Sequence, residues 1–500
     1  MTRPRLPVLP AAAATLALAV SLTLGGAPTA AALSPVSTPW PPVWQAPSSQ
    51  EGDVTPVAFT PPSADDCHRA PTQREVPGRD PQAAAEPAWE GAGSARRLKR
   101  EAAASRAPAA ADFAEVEKSA PMAAPAEADA IAPPPVPSPF PSPKPRPQPD
   151  TRPVTAGVVD DNADFGAYLA YRERRANGLL VRDRDVRERY ALTVTDAEGR
   201  PVHDAEVAVQ RAGVAEPIAW ARTDTAGRVW LHPRAFLPAA AADERVLGIA
   251  VRKGALQART VLTRGQAHAV HLRLDGRAPS ARPRLDLVFL VDATGSMGDE
   301  IAKLKSSMHA MSQQIAQMPG RPDICYGLVA YRDRGDAFLT RTHGFTDRLD
   351  AFQQVLGRVQ AAGGGDTPEA LDEALAETVH QLAWRRDAVR LVVLVADAPP
   401  HADRRDGPRY DRDMQAALAK GIKVFPVGAS GLDPSGEYTF RQLAQYTAGR
   451  FVFLTYREAT DPSSGPGSAT VHDVQQYSVD TLDRLVVRLV REELDRLPKA

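Results

Sequence analysis

The sequence predicts an α/β protein whose main domain is a doubly wound, mostly parallel open sheet. A small all-β sandwich and a disordered Pro/Ala-rich N-terminal region are expected before it. Three observations support this prediction: apolar runs alternate with amphipathic helical patterns after residue 282, short alternating strands fill residues 184–276, and 25 of the 47 prolines lie between Leu33 and Asp150. Strands that are covered on both faces need such apolar runs, because neither face meets water.

Length and charge limit the possible functions. Five hundred residues are enough for two or three domains. The 60 basic and 61 acidic residues give a net charge of -1, and aromatic residues make up only 6% of the chain. A nucleic-acid-binding protein usually shows a basic surplus, so nucleic acid is not an expected partner.

The first 32 residues have the pattern of a signal peptide. Arg3 and Arg5 precede an apolar stretch, and the small residues around Ala30 offer a cleavage site. The sequence therefore predicts an exported protein that is periplasmic, bound to the cell envelope or secreted. An uncleaved anchor is the alternative, because the apolar run approaches the ~20 residues of a membrane span; membrane contact is expected only through it.

Residues 33–153 are rich in Pro and Ala and contain no hydrophobic period. Such a segment buries too little apolar surface to offset its loss of entropy on ordering, so we expect a disordered linker or stalk. Cys67 lies in this linker, whereas Cys325 lies in a predicted buried strand. The sequence therefore predicts that the two cysteines are not paired.

After the linker, the sequence shows the patterns of regular secondary structure. Residues 154–183 predict a short helical segment, and residues 184–276 predict a β-sandwich with turns at Asp196–Gly199 and Asp224–Gly227. The acidic residues at positions 160, 161 and 164 lack the Gly and the distal Glu of a calcium-binding loop, so a helix-capping cluster is expected.

The doubly wound domain is expected at residues 283–458, with a loop and a C-terminal helix at 459–500 completing it. Predicted strands cover 285–292, 324–332, 389–397, 422–428 and 450–455. A helix should follow the first strand, because apolar residues recur there at helical spacing. They are Ile301, Leu304, Met308, Met311, Ile315 and Met318.

Polar side chains follow two of these strands and one Gly-rich turn. Asp292, Thr294 and Ser296 come after the first strand, and Asp397 closes "LVVLVAD". The turn "AAGGGDTPEA" contains Asp366 and Thr367. Ligands in open α/β sheets lie beyond the carboxyl ends of the strands, so these groups should converge on one point.

Several enzyme motifs would begin in the same way, but each lacks a required residue. A phosphotransferase of the haloacid dehalogenase type needs an acid at position 294, and an aspartic protease needs Asp-Thr-Gly without the intervening Ala293. The Gly-Lys-Ser/Thr of a P-loop is absent from the sequence. The sequence thus predicts a non-catalytic protein, with a hydrolase as the least favoured interpretation.

A divalent-metal site accounts for the same residues. Hard cations prefer oxygen ligands, and two hydroxyls with one or two carboxylates suit Mg²⁺, with Mn²⁺ or Ca²⁺ as alternatives. His401 by itself does not indicate a metal ligand. Arg334-Gly335-Asp336, the tripeptide that integrins bind, is interpreted as a turn between strands.

The segment Asp292-Ala-Thr-Gly-Ser296-Met, together with "GGGDTPEA" and "VLVADAPPH", resembles a von Willebrand factor type A domain with a metal-ion-dependent adhesion site. The resemblance covers about residues 283–457. It implies a ligand set of Asp292, Thr294, Ser296, Asp397 and either Asp366 or Thr367.

The resemblance also implies a partner protein that offers an acidic side chain to the metal. The first functional hypothesis is therefore an exported, adhesion-type binding protein. The alternative is a scaffold or regulatory subunit of an envelope enzyme complex.

Overall fold

A computed structural model describes residues 59–78, 153–175, 177–266, 269–279, 282–365 and 367–497. The expected signal peptide, most of the Pro/Ala-rich linker and the candidate ligand Asp366 lie outside these residues. In the part of the chain that the structure describes, no helix has the length and apolar character needed to cross a membrane.

Strands outnumber helices among the regular elements of the described chain. In chain order, the strands are β1 (Gln73–Val76), β2 (Thr155–Val159), β3 (Tyr190–Thr195), β4 (Glu206–Gln210), β5 (Ala219–Arg222), β6 (Arg228–Leu231), β7 (Val246–Lys253), β8 (Leu256–Thr263), β9 (Ala269–Arg273), β10 (Arg284–Asp292), β11 (Asp323–Tyr331), β12 (Thr340–Thr346), β13 (Ala388–Ala396), β14 (Ile422–Gly428), β15 (Phe451–Glu458), β16 (Asp461–Pro466) and β17 (Ser478–Thr481). The helices are α1 (Phe165–Arg175), α2 (Pro233–Phe236), α3 (Ile301–Ala316), α4 (Leu349–Gly357), α5 (Leu371–His380), α6 (Tyr410–Lys420), α7 (Pro434–Tyr446) and α8 (Leu482–Asp495).

The main sheet has ten strands in the order β1-β12-β11-β10-β13-β14-β15-β2-β17, with β16 paired to β15. The central strands β11, β10, β13, β14 and β15 are parallel, and the strands at the margins are antiparallel. The predicted α/β class is thus confirmed, but the sheet as a whole is mixed, and the predicted parallel arrangement holds only for its five central strands.

Alternate side chains of each central strand face opposite helical layers. In β10, Leu287 and Phe289 pack into one apolar cluster with α3, α4 and α8, whereas Val288 and Leu290 pack into a second with α5, α6 and α7. The six apolar residues of the helical pattern that begins at Ile301 all belong to the first cluster. Both faces of β10 are buried, which explains the uninterrupted apolar run in its sequence.

Two small sheets occupy the region between α1 and the main domain. One has the order β6-β3-β9 and the other β5-β4-β7-β8, and their buried side chains form one shared apolar cluster. Asp204 joins this unit to the main sheet, because its carboxylate accepts hydrogen bonds from Arg222 at 3.0 Å and from Arg390 at 2.9 Å. All three side chains are buried.

Part of the Pro/Ala-rich linker is ordered, and here the prediction was wrong. Within residues 59–78, β1 pairs with β12, and Cys67 forms a disulfide with Cys325 across 258 residues of sequence. The Cα atoms of the two cysteines are 6.1 Å apart, so the prediction of unpaired cysteines was also wrong. The segment has too few apolar residues for a core of its own, and it packs against the main sheet instead.

The helical segment expected at 154–183 contains α1, but its first residues form β2, which pairs with β15 in the main sheet. Two of the three acidic residues before α1 make the local contacts that the sequence predicted, whereas Asp161 instead forms a buried ion pair with Arg441 at 2.6 Å. Asp160 Oδ1 accepts hydrogen bonds from the backbone N–H groups of Asn162 and Ala163, and Asp164 Oδ1 accepts one from Ala167. The Asp164 contact caps α1, and the Asp160 contacts close the turn that precedes it.

Candidate functional site

Asp292 ends β10 and organises the loop that follows. It is fully buried, and its Oδ1 accepts hydrogen bonds from the Thr294 backbone N–H at 2.9 Å and from the Thr294 hydroxyl at 2.7 Å. The hydroxyl oxygens of Thr294 and exposed Ser296 are 3.1 Å apart. The three predicted oxygen ligands of this loop therefore lie together.

Asp397 lies beside this loop because β13 runs parallel to β10 in the next position of the sheet. The residue is 8% exposed. Two oxygens, Asp292 Oδ2 and Asp397 Oδ1, are buried and have no hydrogen-bond partner among the described residues. Buried carboxylate oxygens without partners are energetically unfavourable, so this arrangement suits a bound cation.

Burial and a neighbouring charge disfavour ionisation of both carboxyl groups. Burial, followed by the charge of Asp397, raises the pKa of Asp292 to about 7, although the hydrogen bonds from Thr294 oppose this rise. Burial also raises the pKa of Asp397, against a hydrogen bond from Ser296. The carboxylates would ionise more readily if a positive ion lay between them.

The Gly-rich turn packs directly against the Asp292 loop. The backbone N–H of Gly295 donates to Gly363 O at 3.0 Å. Gly364 has a φ of +66°, and a Cβ there would lie 3.1 Å from the Cβ of Thr294, so a residue with a side chain would be strained and crowded.

Asp336 fixes the path of this turn. Its Oδ2 accepts a hydrogen bond from the Gly364 N–H at 2.8 Å and a second from the Asp333 N–H at 3.1 Å. The carboxylate of the Arg-Gly-Asp tripeptide is therefore used inside the protein, and residues 334–335 form a turn, as predicted.

The middle ligand position has three candidates near the end of the Gly-rich turn. Asp366 lies outside the described residues, and Thr367 is exposed. Sequence reasoning missed Glu369, which is 3% exposed and has an Oε2 atom without a hydrogen-bond partner in the described part of the chain. Burial, then the charges of Asp292, Asp333 and Asp397, raise the pKa of Glu369 to about 9. Glu369 stands in the segment "GGGDTPEA", so the segment was recognised, but its approach to the site depends on the path of the turn.

The donor set is made of oxygen atoms. His401 is occupied elsewhere, since its Nε2 lies 2.9 Å from Asp333 Oδ1. Among the residues described, no group of three or more His, Cys, Asp or Glu side chains is arranged to hold a metal ion. A cation at this site would therefore depend on the hydroxyls as well as the carboxylates, a set that fits Mg²⁺.

The protein has the fold of the doubly wound α/β proteins, in which ligands bind beyond the carboxyl ends of the strands. Its carboxylates and hydroxyls lie at this edge of the sheet. Residues 286–460 match the family model of the von Willebrand factor type A domain, and the chain therefore contains a domain of this type.

Three relatives share parts of this region. The chain is 31% identical over 192 residues to an ariadne-like RING finger protein of Acanthamoeba polyphaga mimivirus, a match that covers 34% of this chain and 18% of that protein. It is 37% identical over 100 residues to von Willebrand factor A domain-containing protein 7 of Mus musculus, covering 19% and 11%. It is 22% identical over 195 residues to integrin beta-6 of Rattus norvegicus, covering 34% and 23%. The chain spans less than a quarter of the length of each relative.

Proposed function

We propose that this chain is an exported, non-catalytic binding protein whose type A domain captures a partner protein through a divalent cation. The observation that carries the proposal is the pair of buried, unpartnered oxygens Asp292 Oδ2 and Asp397 Oδ1 in the described part of the chain. Type A domains, as in integrins, are commonly protein-interaction modules and commonly bind a divalent metal.

The proposed ligands are Asp292, Thr294, Ser296 and Asp397, with Asp366, Thr367 or Glu369 in the middle position. Mg²⁺ is the preferred cation and Mn²⁺ or Ca²⁺ are alternatives, because all the donors are oxygen atoms. A cation held partly by neutral hydroxyls supplies positive charge to an acidic side chain of the partner. Asp292 fixes the Thr294 hydroxyl, and Thr294 lies against Ser296, so the chain's own contacts hold the donors in place.

Two features support export. The N-terminal residues have the pattern of a signal peptide, and the Cys67–Cys325 disulfide is of a kind that forms and persists in oxidising compartments. Periplasmic, envelope-bound and secreted locations all satisfy this requirement.

Calorimetry with Mg²⁺ and Mn²⁺ on the full chain tests the metal site. The wild-type protein should bind the ion, and Asp292→Ala should not. Asp350→Ala is the matched control, because Asp350 is an exposed carboxylate of the same domain that pairs with Arg348. Equal heats from the wild type and Asp292→Ala would exclude the proposed site.

Capture of partners from an envelope extract tests the binding function. The wild-type chain should retain a partner in Mg²⁺ and release it in chelator, and Thr294→Ala should retain less of it. Binding that persists in chelator and with Thr294→Ala would place the interaction surface elsewhere, first of all on the two small sheets.

A further inference from the structure

The loop that follows Asp397 forms one side of the candidate site. Its first residues contact other groups of that site: Pro399 O accepts a hydrogen bond from the Glu369 N–H at 3.0 Å, and His401 pairs with Asp333. The loop then continues through residues 402–409 to the start of α6. Its conformation therefore decides what a partner meets beside the site.

Arg182 holds the first half of this loop, although it lies outside residues 286–460. Its guanidinium donates to the backbone carbonyl oxygens of His401 and Arg404, each at 2.8 Å, and to Asp372 Oδ2 at 2.6 Å. The side chains of Arg182 and Asp372 are 8% and 4% exposed. Asp372 is in α5, the helix after the Gly-rich turn, so one guanidinium connects the two segments that flank the site.

The second half of the loop is held from the same segment of the chain. The Tyr410 hydroxyl accepts a hydrogen bond from the backbone N–H of Arg182 and donates one to the backbone carbonyl oxygen of the same residue. Arg184 Nε donates to Asp411 Oδ2 at 2.9 Å, and Asp411 also pairs with Arg409. Both ends of the loop are thus fixed by residues that lead into the small sheets.

The tip of the loop differs from its ends. Asp403, Arg405 and Asp406 are exposed, and none of them has a hydrogen bond or ion pair with another described residue. A loop with fixed ends and unpaired charges at its tip loses little conformational entropy when it binds, because most of the ordering is already present.

We propose that Arg182 is a positioning residue for this loop and that Asp403, Arg405 and Asp406 select the partner by charge. The proposal rests on the proposed function. Arg404 lies between these residues, but its guanidinium pairs with Glu373 at 3.6 Å. The unpaired charges of the tip are therefore two acidic and one basic, which favours a partner segment whose metal-directed carboxylate is flanked mainly by basic side chains. The binding site is therefore completed by a residue that a type A domain taken alone would lack.

Arg182→Ala tests the positioning role, with Arg187→Ala as the matched control because Arg187 is an exposed arginine of the same segment. Amide hydrogen exchange in residues 401–409 should become faster in Arg182→Ala and stay unchanged in the control. Exchange in β13 should not change, which would separate a local effect from general unfolding. Arg182→Lys, which keeps the charge but not the planar fork, should give an intermediate rate and serves if the alanine variant fails to fold. Unchanged exchange in residues 401–409 would overturn the positioning role.

The selection role is tested with peptides. A phage-displayed library is first selected for binding to the wild-type chain in Mg²⁺, and the affinity of the selected peptides is then measured for each variant. Arg182→Ala and the double variant Asp403→Asn/Asp406→Asn should each weaken peptide binding by about tenfold, the order expected for a central interface residue, and leave Mn²⁺ affinity unchanged. Unchanged peptide affinity, or an equal loss of Mn²⁺ affinity, would overturn it. A wild-type chain that binds no Mn²⁺ would overturn the proposed function and the selection role together, while the exchange experiment would still decide the role of Arg182.

Discussion

Asp292 and Asp397 stand at the ends of neighbouring parallel strands, and each has one buried carboxylate oxygen without a partner in the described structure. Burial and the charge of Asp397 raise the pKa of Asp292 from 3.8 to about 7. Two buried carboxylates that face each other are unfavourable when both are ionised. Protons or a cation can relieve this repulsion, and the two should therefore compete.

The metal-free protein should become less stable as the pH rises from about 5 to about 8. The pKa of Asp292 is higher in the folded protein than in the unfolded chain, so the folded state binds the proton more tightly and loses this advantage as the pH passes 7. We expect Asp292 to lower the free energy of unfolding by about 1–3 kcal/mol over this range, and Glu369, whose pKa is raised to about 9, should lower it further. Urea unfolding in chelator measures it.

Asp292→Asn should reduce this pH dependence and make the metal-free protein more stable at pH 8, while Glu369, whose pKa is raised to about 9, should retain part of it. Asp350→Asn, which changes an exposed carboxylate, should leave the dependence intact. Saturating Mg²⁺ should raise the stability of the wild type at pH 8 and leave Asp292→Asn unaffected. A free energy of unfolding that does not change with pH in the wild type would contradict the proposed repulsion.

The parallel core could be predicted from sequence because each strand carries its own signal. The run that ends at Asp292 is apolar on both faces, and the predicted strand at 285–292 matches β10 at Arg284–Asp292. Short marginal strands such as β1 and β2 carry little such signal, since their pairing depends on partners far away in the sequence. The same reason hid the disulfide, whose cysteines are 258 residues apart.

The candidate site was likewise predictable only where its residues follow the central strands. Asp292, Thr294, Ser296 and Asp397 follow central strands, and parallel pairing brings the ends of those strands together. The position of Glu369 depends instead on a turn whose path is set by Asp336 and by the positive φ of Gly364. Local spacing does not reveal such a path.

Removal of the disulfide should release residues 59–78 from the main sheet. The bond closes a very long loop, so Cys67→Ser should lower the free energy of unfolding by about 3–5 kcal/mol. Trypsin should then cut after Arg69 and Arg74, whereas in the oxidised protein the Cys67 bond and the β1–β12 pairing should slow both cuts. Mass spectrometry of the fragments checks this. Cleavage at the same rate in oxidised wild type would show that the bond does not hold the segment.

Asp204→Asn should weaken the connection between the small sheets and the main domain. Burial raises the pKa of Asp204, but the charges of Arg390 and Arg222 outweigh it and hold the pKa below its usual range. The contribution to stability is therefore present above the ordinary pKa of 3.8 and is lost as the pH falls below it. Removing one partner of a buried ion pair should cost about 3–5 kcal/mol at neutral pH. Urea unfolding measures this cost, and Asp243→Asn at an exposed position should cost almost nothing.

Thr294→Ala should separate the metal site from the stability of the fold. The Thr294 hydroxyl is fully buried, donates to Asp292 Oδ1 at 2.7 Å and lies 3.1 Å from the Ser296 hydroxyl. Its loss removes one hydrogen bond, so the free energy of unfolding should fall by only about 1 kcal/mol.

Thr378→Ala is the matched control, since Thr378 is also a fully buried threonine whose hydroxyl donates one hydrogen bond, to Ala374 O at 2.8 Å. Calorimetry should detect Mg²⁺ binding in the control and a loss of about tenfold or more in affinity in Thr294→Ala, because an oxygen donor is missing and Asp292 is less well oriented. Equal affinities in the two variants, at equal stability, would mean that the Thr294 hydroxyl serves only to cap the loop after β10.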